Sequence, residues 1–218
     1  MSPDYRPPGP AEIRRLLGIL SRPAIEAAPL LLGQVLVRRL GRRLLAVRLV
    51  ETEAYLGVED PAAHAYRGRR TRRTAPLFGP PGTVYVYFVY GMHHCLNVTA
   101  DQEGVPGCVL IRAAEPLTPG LEPLSARGPG RLCRSLGLDT RMSGAYLFAP
   151  GSGLYLREGR PPSRVASSPR VGIRHAAAEP LRFFDPESPA VSAVRPPRAA
   201  SSRPPRTRSL RRSSRARR

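Results

Sequence analysis

The run VLVRRLGRRLLAVRLVETE, residues 35–53, decides the fold of this chain. Two apolar-rich segments, 35–40 and 44–53, flank Gly41-Arg42-Arg43, and this pattern predicts a β-hairpin with a short glycine-containing loop. β-Branched and aromatic residues predict further strands at 84–90 (VYVYFVY) and 109–114. Strands that follow one another in runs, rather than in regular alternation with helices, favour an α+β domain over a doubly wound one.

Helices are predicted before and after these strands along the sequence. The segment 11–20 is predicted to be an amphipathic helix, because its apolar residues recur at the spacing i, i+3, i+4 and i+7: Ile13, Leu16, Leu17 and Leu20. A second short helix follows it, with Pro23 near its first turn and Pro29 limiting its length. Residues 130–136 suit a third helix that opens at a Gly-Pro-Gly turn.

The charge balance indicates the partner. The 218 residues include 35 basic and 16 acidic side chains, which give a net charge of +19. Such a surface favours a polyanion, since neutralised phosphates release condensed counterions, and nucleic acid is the leading candidate. Every basic residue is arginine, so no side-chain amine can form a Schiff base.

The cysteines and the apolar runs indicate the compartment. Three widely spaced cysteines without a CxxC pair predict neither a disulfide framework nor a zinc knuckle, and they favour a reducing interior. No apolar run approaches the roughly 20 residues of a membrane span, and the first residues lack the apolar segment of a signal peptide. We expect a soluble intracellular protein.

The charge is unevenly distributed along the chain. Residues 195–218 hold ten arginines and no acid, which predicts a disordered basic tail. The tail is either a solvated product of biased composition or a contributor to non-specific DNA affinity. The Pro-rich residues 1–10 are also expected to be disordered, so we predict one folded domain over 11–194.

Carboxylates and an aromatic share one face of the strand that ends the first hairpin. In an extended segment alternate residues point the same way, which groups Glu51, Glu53 and Tyr55. A carboxylate and an aromatic ring would then line one surface. A solvated strand edge fits the same pattern, and the isolated His64 fits a packing role equally well.

A tyrosine-rich strand forms the second candidate feature. Alternation over 82–97 places Tyr85, Tyr87 and Val89 on one face and Val86, Phe88 and Tyr90 on the other. Tyr90 directly precedes Gly91, where the chain can turn. The segment fits either ordinary core packing or, in so basic a protein, an aromatic wedge that enters a DNA groove.

Two arginines are further candidates. Arg112 lies among apolar strand residues and needs a carboxylate such as Glu53, a phosphate, or access to water. Arg131 follows Gly128-Pro129-Gly130, where free backbone N–H groups and a cation could meet a phosphate.

These stretches, in this order, resemble the alkyladenine or 3-methyladenine (methylpurine) DNA glycosylase family. The resemblance spans about residues 16–192 and is carried by LGQVLVRRL (32–40), VETEAYLGVEDPAAHAYRG (50–68), FGPPGTVYVYFVYGMHHCLNV (78–98), CVLIRAAEP (108–116), GPGRLC (128–133), RVGI and PLRF. It implies a single α+β domain with a mixed, mainly antiparallel curved sheet, peripheral helices and a protruding β-hairpin.

The resemblance also implies a function. The expected protein is a monomeric, monofunctional hydrolase without cofactor or metal. It would flip alkylated or deaminated purines out of double-stranded DNA, cleave their N-glycosidic bonds and leave abasic sites. Its location would be cytoplasmic and nucleoid-associated in a bacterium, or nuclear in a eukaryote.

Residue roles follow from the same resemblance. Glu53 matches the glutamate that activates water, and Arg112 the arginine that helps hold that group. With an ordinary glutamate pKa of about 4.3, Glu53 would be ionised at neutral pH and able to take a proton from water. The residues that match those around the extruded base are Tyr55, His64, Tyr87 and, at the pocket floor, Asn97. Tyr90 matches the tyrosine that fills the gap in the duplex. Two features depart from the family pattern. Arg131 stands where relatives often have lysine, and the stretch 67–73 (RGRRTRR), which begins with Arg67, is richer in arginine than the family needs and would extend the surface for the DNA backbone.

Two other functions remain open from the sequence. A non-enzymatic, basic DNA-binding protein could keep the wedge and lack turnover. A hydrolase acting on free nucleosides would need neither Tyr90 nor the excess of arginine.

Overall fold

Three α-helices, four short 3₁₀ helices and eight strands make up the regular structure of the computed structural model, which describes residues 5–173 and 175–193. The helices are α1 (Pro10–Leu20), α2 (Ala24–Leu30) and α3 (Pro129–Ser135). The strands are β1 (Val35–Leu40), β2 (Arg43–Tyr55), β3 (Val84–Val89), β4 (His93–Ala100), β5 (Gly107–Pro116), β6 (Leu154–Arg157), β7 (Ala166–Ser168) and β8 (Arg182–Phe184). The α+β class is therefore confirmed.

The strands form one curled antiparallel sheet around the thirteen-residue β2. The sheet order is β3-β4-β5-β2-β1-β6, and β8 pairs with both β2 and β7. Every strand pairing within the described ranges is antiparallel. β1 pairs with the first half of β2, as far as Arg48, and β8 pairs along Glu51 to Glu53. The register of β2 against β5 shifts on both sides of Glu51, a bulge of the kind that bends a strand and redirects its side chains.

The helices cover one face of this sheet. Their buried leucines, Leu16, Leu20 and Leu132, join a continuous core with Leu36, Val47 and Ile111 of the strands. A smaller cluster of Ala65, Leu77, Tyr85 and Cys108 lies elsewhere, with Tyr55 and Tyr87 packed against it. The tyrosines singled out in the sequence therefore lie outside the main core.

Several element boundaries differ from their predicted positions for local reasons. The helix predicted over 11–20 is confirmed as α1, and α2 accommodates Pro29 one residue before its end. The first hairpin turns through two residues rather than the predicted three, because Leu40 pairs directly with Arg43 and Gly41 adopts φ +58°. The strand predicted to reach residue 90 ends at Val89, since Tyr90 has a φ of +54°. The third helix begins at Pro129, one residue early.

The predicted start of the domain, residue 11, lies within the described chain, and its predicted end, residue 194, lies outside the described residues. Within the segment predicted to be disordered, the Tyr5 carbonyl accepts a hydrogen bond of 2.6 Å from the Tyr155 hydroxyl. The Arg6 carbonyl accepts one of 2.7 Å from Arg157, so residues 5 and 6 are held against β6. The predicted tail, 195–218, lies outside the described residues. Among the helices of the described ranges, none has the length and hydropathy of a membrane span.

Candidate active site

Glu53 on β2 is the chemical centre of the site. Its side chain is completely buried. One carboxylate oxygen, Oε1, accepts a 2.7 Å hydrogen bond from the Val171 backbone N–H and lies 3.3 Å from Nη1 of Arg112. The other oxygen, Oε2, accepts a hydrogen bond from the Tyr55 hydroxyl at 3.0 Å. Strand alternation placed Glu53 and Tyr55 on one face, and this prediction is confirmed.

Arg112 on β5 bridges two carboxylates. Its Nε donates to Glu51 at 2.9 Å, and its Nη1 faces Glu53. Of the partners considered from the sequence, the structure provides the carboxylate. The guanidinium thereby joins Glu51 and Glu53, two residues apart on the neighbouring strand, into one buried network.

Glu51 is the fixed member of this network. It accepts hydrogen bonds from Nε of Arg182 on β8 at 2.7 Å and from the Ser192 backbone N–H and hydroxyl at 2.7 and 2.8 Å. Sequence patterns did not indicate these partners, because Arg182 and Ser192 lie more than 130 positions away from Glu51 along the chain.

The pKa values of Glu51 and Glu53 are shifted in opposite directions. Burial raises the pKa of Glu53 above its ordinary value, and this effect outweighs the attraction of Arg112 and the hydrogen bonds from Val171 and Tyr55. The expectation of an ordinary pKa for Glu53 is therefore wrong, because desolvation disfavours the charged form. Burial also acts on Glu51, but there Arg112 and Arg182 prevail and its pKa is lowered. Two carboxyl groups whose pKa values are shifted in opposite directions are suited to different roles: Glu53 as a base and Glu51 as a fixed charge.

A cavity of about 190 Å³ opens beside this network. Tyrosine rings dominate its wall, together with small residues, an amide and a thiol: Tyr55, Tyr85, Tyr87, Tyr90, Ala62, Ala63, His64, Leu77, Val89, Asn97, Pro106, Cys108, Gly172 and Ile173. Glu53 lies behind the Tyr55 hydroxyl and does not itself form part of the wall. The structure thus brings all four predicted base-pocket residues together around one hollow.

His64 is held by aromatic neighbours. Its Nδ1 lies 2.8 Å from the Tyr85 hydroxyl, and its ring meets the Tyr87 ring edge to face at 4.6 Å between centroids. Burial, and to a lesser extent Arg73 and Arg69, lowers the pKa of His64. The lowered pKa favours the uncharged form of the ring, which lines the cavity and is exposed to solvent.

Asn97 lines the cavity and is held by two hydrogen bonds. Its Nδ2 donates to the Tyr85 carbonyl at 3.2 Å, and its Oδ1 accepts a weak hydrogen bond from the Cys108 thiol at 3.8 Å. The side chain is buried. Both ends of the amide are thus engaged, so its orientation in the pocket is set.

Tyr90 occupies the tip of the β3–β4 hairpin. Tyr90 and Gly91 both have positive φ, +54° and +68°, which closes a tight turn. The Tyr90 side chain is 78% exposed. Alternation placed Tyr90 on the face opposite Tyr85, and this prediction is wrong: the positive φ takes Tyr90 out of the strand, and it lies at the rim of the cavity.

The predicted DNA-backbone residues lie on the surface away from the cavity wall. Arg67 is exposed, adopts a φ of +57° and places its guanidinium carbon 5.2 Å from the centre of the Tyr66 ring. Arg131 is exposed on α3. In the same arginine-rich stretch as Arg67, Arg73 approaches the site, with its guanidinium carbon 5.6 Å from the centre of the Tyr87 ring.

Free thiols and carboxylates do not assemble into a metal site here. Across the described ranges, no three His, Cys, Asp or Glu side chains gather in a way that could hold a metal ion. Cys95, Cys108 and Cys133 are all unpaired and buried. Burial raises the pKa of Cys108 and of Cys133 to about 12, and it raises that of Cys95 as well.

The chain is similar to a large set of known proteins. The family model described as methylpurine-DNA glycosylase matches residues 18–189. A protein of Methanocella arvoryzae is 42% identical over 186 residues, which cover 78% of this chain and 92% of that protein. Relatives in Myxococcus xanthus (46%; 81% and 92%) and Streptomyces avermitilis (43%; 80% and 89%) are similar over comparable lengths. All three are named as candidate 3-methyladenine DNA glycosylases.

Proposed function

The chain belongs to the methylpurine-DNA glycosylase family, and from this premise we propose that it excises damaged purines from double-stranded DNA. The reaction is hydrolysis of the N-glycosidic bond, with alkylated or deaminated purine nucleotides as substrates and an abasic site as product. The observation that carries the proposal is the buried Glu53, hydrogen-bonded through Tyr55 to the wall of a tyrosine-lined cavity.

The cavity suits a base that has left the duplex. A stacked base is unreachable, so the target nucleotide must rotate outward at a cost of a few kcal/mol. Tyr90, exposed at the hairpin tip beside the cavity, can fill the space that the nucleotide leaves. Purines made cationic by alkylation are attracted to the electron-rich faces of rings such as Tyr55 and Tyr87, by about 0.5–2 kcal/mol per contact.

Glu53 supplies the chemistry. Cleavage builds positive charge on the deoxyribose, and a carboxylate both stabilises that charge and removes a proton from the attacking water. The raised pKa of Glu53 makes it a stronger base than an exposed glutamate. Arg112 keeps the carboxylate in place and favours its charged form.

Water must reach a carboxylate that is already hydrogen-bonded. The Val171 N–H occupies Oε1, and the Tyr55 hydroxyl occupies Oε2 on the side of the cavity. Activation of a water molecule therefore requires the Tyr55 hydroxyl to share or release Oε2 when a nucleotide enters.

The polar end of the cavity provides discrimination. The Asn97 amide is held from both ends, so it cannot turn away from a base that clashes with it. We assign to it the rejection of normal guanine, whose exocyclic amine would meet this amide. The absence of lysine leaves no side-chain amine to cut the strand after base release.

Incubation with methylated duplex DNA tests the proposal. The wild-type chain is expected to release methylated purines, identified by chromatography, and to leave abasic sites in an otherwise intact strand. A protein that binds the duplex tightly without releasing any base would instead be a basic DNA-binding protein. Release from free nucleosides that equals release from duplex DNA would indicate a nucleoside hydrolase.

A further inference from the structure

Arg170 is a buried cation beside the site, and none of the roles described above uses it. Its side chain has no exposed surface, and both terminal nitrogens donate to Asp60, one of them at 3.0 Å. Nη1 also donates to the Ala54 carbonyl at 3.0 Å, and Glu179 lies 4.0 Å from Nη2. The guanidinium carbon lies 4.7 Å from the centre of the Tyr55 ring, within cation–π distance.

Asp60 connects this cation to a second segment. Its two carboxylate oxygens also accept backbone N–H bonds, from Leu56 at 3.1 Å and from Ala62 at 2.9 Å. The Arg170 hydrogen bonds and these N–H groups outweigh burial and lower the pKa of Asp60, so the pair is ionised at neutral pH.

The pair therefore joins the three segments that build the cavity wall next to Glu53. Tyr55 comes from the end of β2, Ala62 and His64 from the turn after Asp60, and Gly172 and Ile173 from the segment after Arg170. Between Arg170 and Gly172, the Val171 N–H donates to Glu53 at 2.7 Å.

We propose that Arg170 is a positioning residue for the reaction: paired with Asp60, it holds the Tyr55 ring and the Val171 N–H against Glu53. The inference rests on the proposed function, because it assigns how the general base of that function is kept in its reactive geometry. Arg170 acts through its neighbours and does not contact the cavity itself.

Fold stability alone does not account for this arrangement. Buried ion pairs are often no more stabilising than apolar side chains of similar volume, because two charges must leave water. Arg170 also buries an Nε that has no hydrogen-bond partner among the described residues, which adds a further cost. The benefit is positional, because one planar group contacts the Asp60 carboxylate of one segment and both the Ala54 carbonyl and the Tyr55 ring at the end of β2.

The pH dependence of the reaction reports this role. The groups that act on Glu53 are Glu51 and Tyr55 from β2, Arg112 from β5, Cys95 from β4, and the Val171 N–H and Arg170 from the segment before β8. Loss of Arg170 removes one cation and frees the loop that carries the Val171 N–H. Both changes disfavour the carboxylate, so the acidic limb of the rate profile is expected to move to higher pH.

Single-turnover excision with the full-length chain tests the proposal. The substrate is a duplex oligonucleotide with one lesion that the wild-type chain releases, at saturating enzyme and across a range of pH. Arg170→Met is expected to lower the rate at neutral pH at least about tenfold, within the range of general-base effects, and to shift the acidic limb upward. Arg170→Lys, which keeps the charge but not the planar fork, is expected to shift the limb less.

Two further variants distinguish a positioning role of Arg170 in the reaction from a contribution to fold stability alone. Asp60→Asn is expected to reproduce the change of Arg170→Met, and it decides the matter if Arg170→Met does not fold. Arg48→Lys is the matched control, because Arg48 pairs with Glu115 and Asp185 away from the cavity. It is expected to change thermal stability and leave the pH profile unmoved.

The proposal is overturned if the Arg170 and Asp60 variants lose only thermal stability and keep the wild-type rate and pH profile when folded. It is equally overturned if they weaken only duplex binding. A wild-type chain that releases no base contradicts the proposed function instead, and the two failures are therefore distinguishable.

Discussion

The Tyr55 hydroxyl donates a 3.0 Å hydrogen bond to the Glu53 carboxylate, and the same tyrosine forms part of the cavity wall. In the proposed reaction, one side chain would therefore connect substrate contact with proton transfer. The connection is reciprocal: burial first, and then the Glu53 charge, raises the pKa of Tyr55, while the hydroxyl favours the charged form of Glu53. A nucleobase that displaces the Tyr55 ring would therefore also change the basicity of the Glu53 carboxylate.

Replacement of Glu53 by glutamine is expected to abolish base release while leaving the fold intact. Glutamine cannot accept a proton from water, and general-base effects are about 10²- to 10⁴-fold. Single-turnover rates on a lesion-containing duplex measure the loss. Thermal stability at neutral pH should not fall, because burial penalises the Glu53 charge that the substitution removes, and Arg112 keeps Glu51 as a partner.

The exposed Glu103→Gln is the control for this experiment, and it should keep the wild-type rate. Retention of at least half of the rate in Glu53→Gln would exclude Glu53 as the base. Duplex affinity of Glu53→Gln, measured by fluorescence anisotropy, should be close to that of the wild type.

Tyr55→Phe is expected to move the acidic limb of the rate profile to higher pH. The hydroxyl hydrogen bond lowers the pKa of Glu53, so its removal raises that pKa, and protonation then inactivates the base at a higher pH. The plateau at higher pH should persist, because the ring remains and Oε2 becomes free for water. Tyr146→Phe, which alters a tyrosine outside the cavity wall, should leave the limb in place. An unchanged limb in Tyr55→Phe would disprove the coupling.

Tyr90→Ala is expected to reduce excision from duplex DNA by at least about tenfold at subsaturating enzyme, a loss comparable to the few kcal/mol of unstacking that a wedge offsets. Alanine keeps the same positive-φ strain as tyrosine, so the change isolates the ring. Phe88→Ala removes the half-exposed ring of the preceding strand and is the control. An equal loss in Tyr90→Ala and Phe88→Ala would argue against a specific wedge.

Glu51→Gln is expected to destabilise the fold, in contrast to the change at Glu53. It leaves Arg112 and Arg182 without their shared carboxylate, a loss of about 3–5 kcal/mol for a broken buried pair. The lowered pKa of Glu51 means that its contribution is complete above the ordinary glutamate value and is lost as pH falls through the lowered one. Urea unfolding at several acidic pH values should show this slope in the wild type and a weaker slope in Glu51→Gln.

Truncation after Val194 is expected to weaken DNA affinity and flatten its salt dependence. The removed segment carries ten arginines, and each phosphate that they neutralise adds about 0.9 to the slope of log affinity against log salt. Single-turnover excision at saturating enzyme should be unchanged, since the residues assigned to the reaction precede the cut. An unaltered salt slope would contradict a role for the tail in binding.

The local parts of the fold could be predicted from the sequence because they depend on neighbouring residues. Helical spacing gave α1 to within one residue, and apolar runs around Gly41 gave the first hairpin. Strand β4 was missed, since its polar start at His93 and His94 hides the apolar alternation that follows. The short strands β6, β7 and β8 were also missed, because three or four residues carry too little periodicity.

The candidate site likewise contains residues that local sequence patterns predicted and residues that they did not. Alternation along β2 placed Glu53 and Tyr55 together. The unusual position of Arg112 left a carboxylate, a phosphate or water as its partner, and the structure shows the carboxylate. Arg170 lies in an RVGI segment without informative spacing, and its partner Asp60 is 110 positions away. Contacts of that kind depend on how the sheet curls, and one sequence does not encode them in any local pattern. The face on which Tyr90 lies was predicted wrongly for another reason: Tyr90 has a positive φ, which is uncommon for a residue other than glycine and breaks the alternation of the strand.

The burial of Cys95, Cys108 and Cys133 has a consequence for the survival of the protein itself. Electrophiles that methylate purines also react with thiolates, and a thiol with a raised pKa is almost entirely protonated at neutral pH. With no lysine in the chain and its thiols shielded, the protein offers few strong nucleophiles to such reagents. It is therefore equipped to persist under the same chemical exposure that creates its proposed substrates.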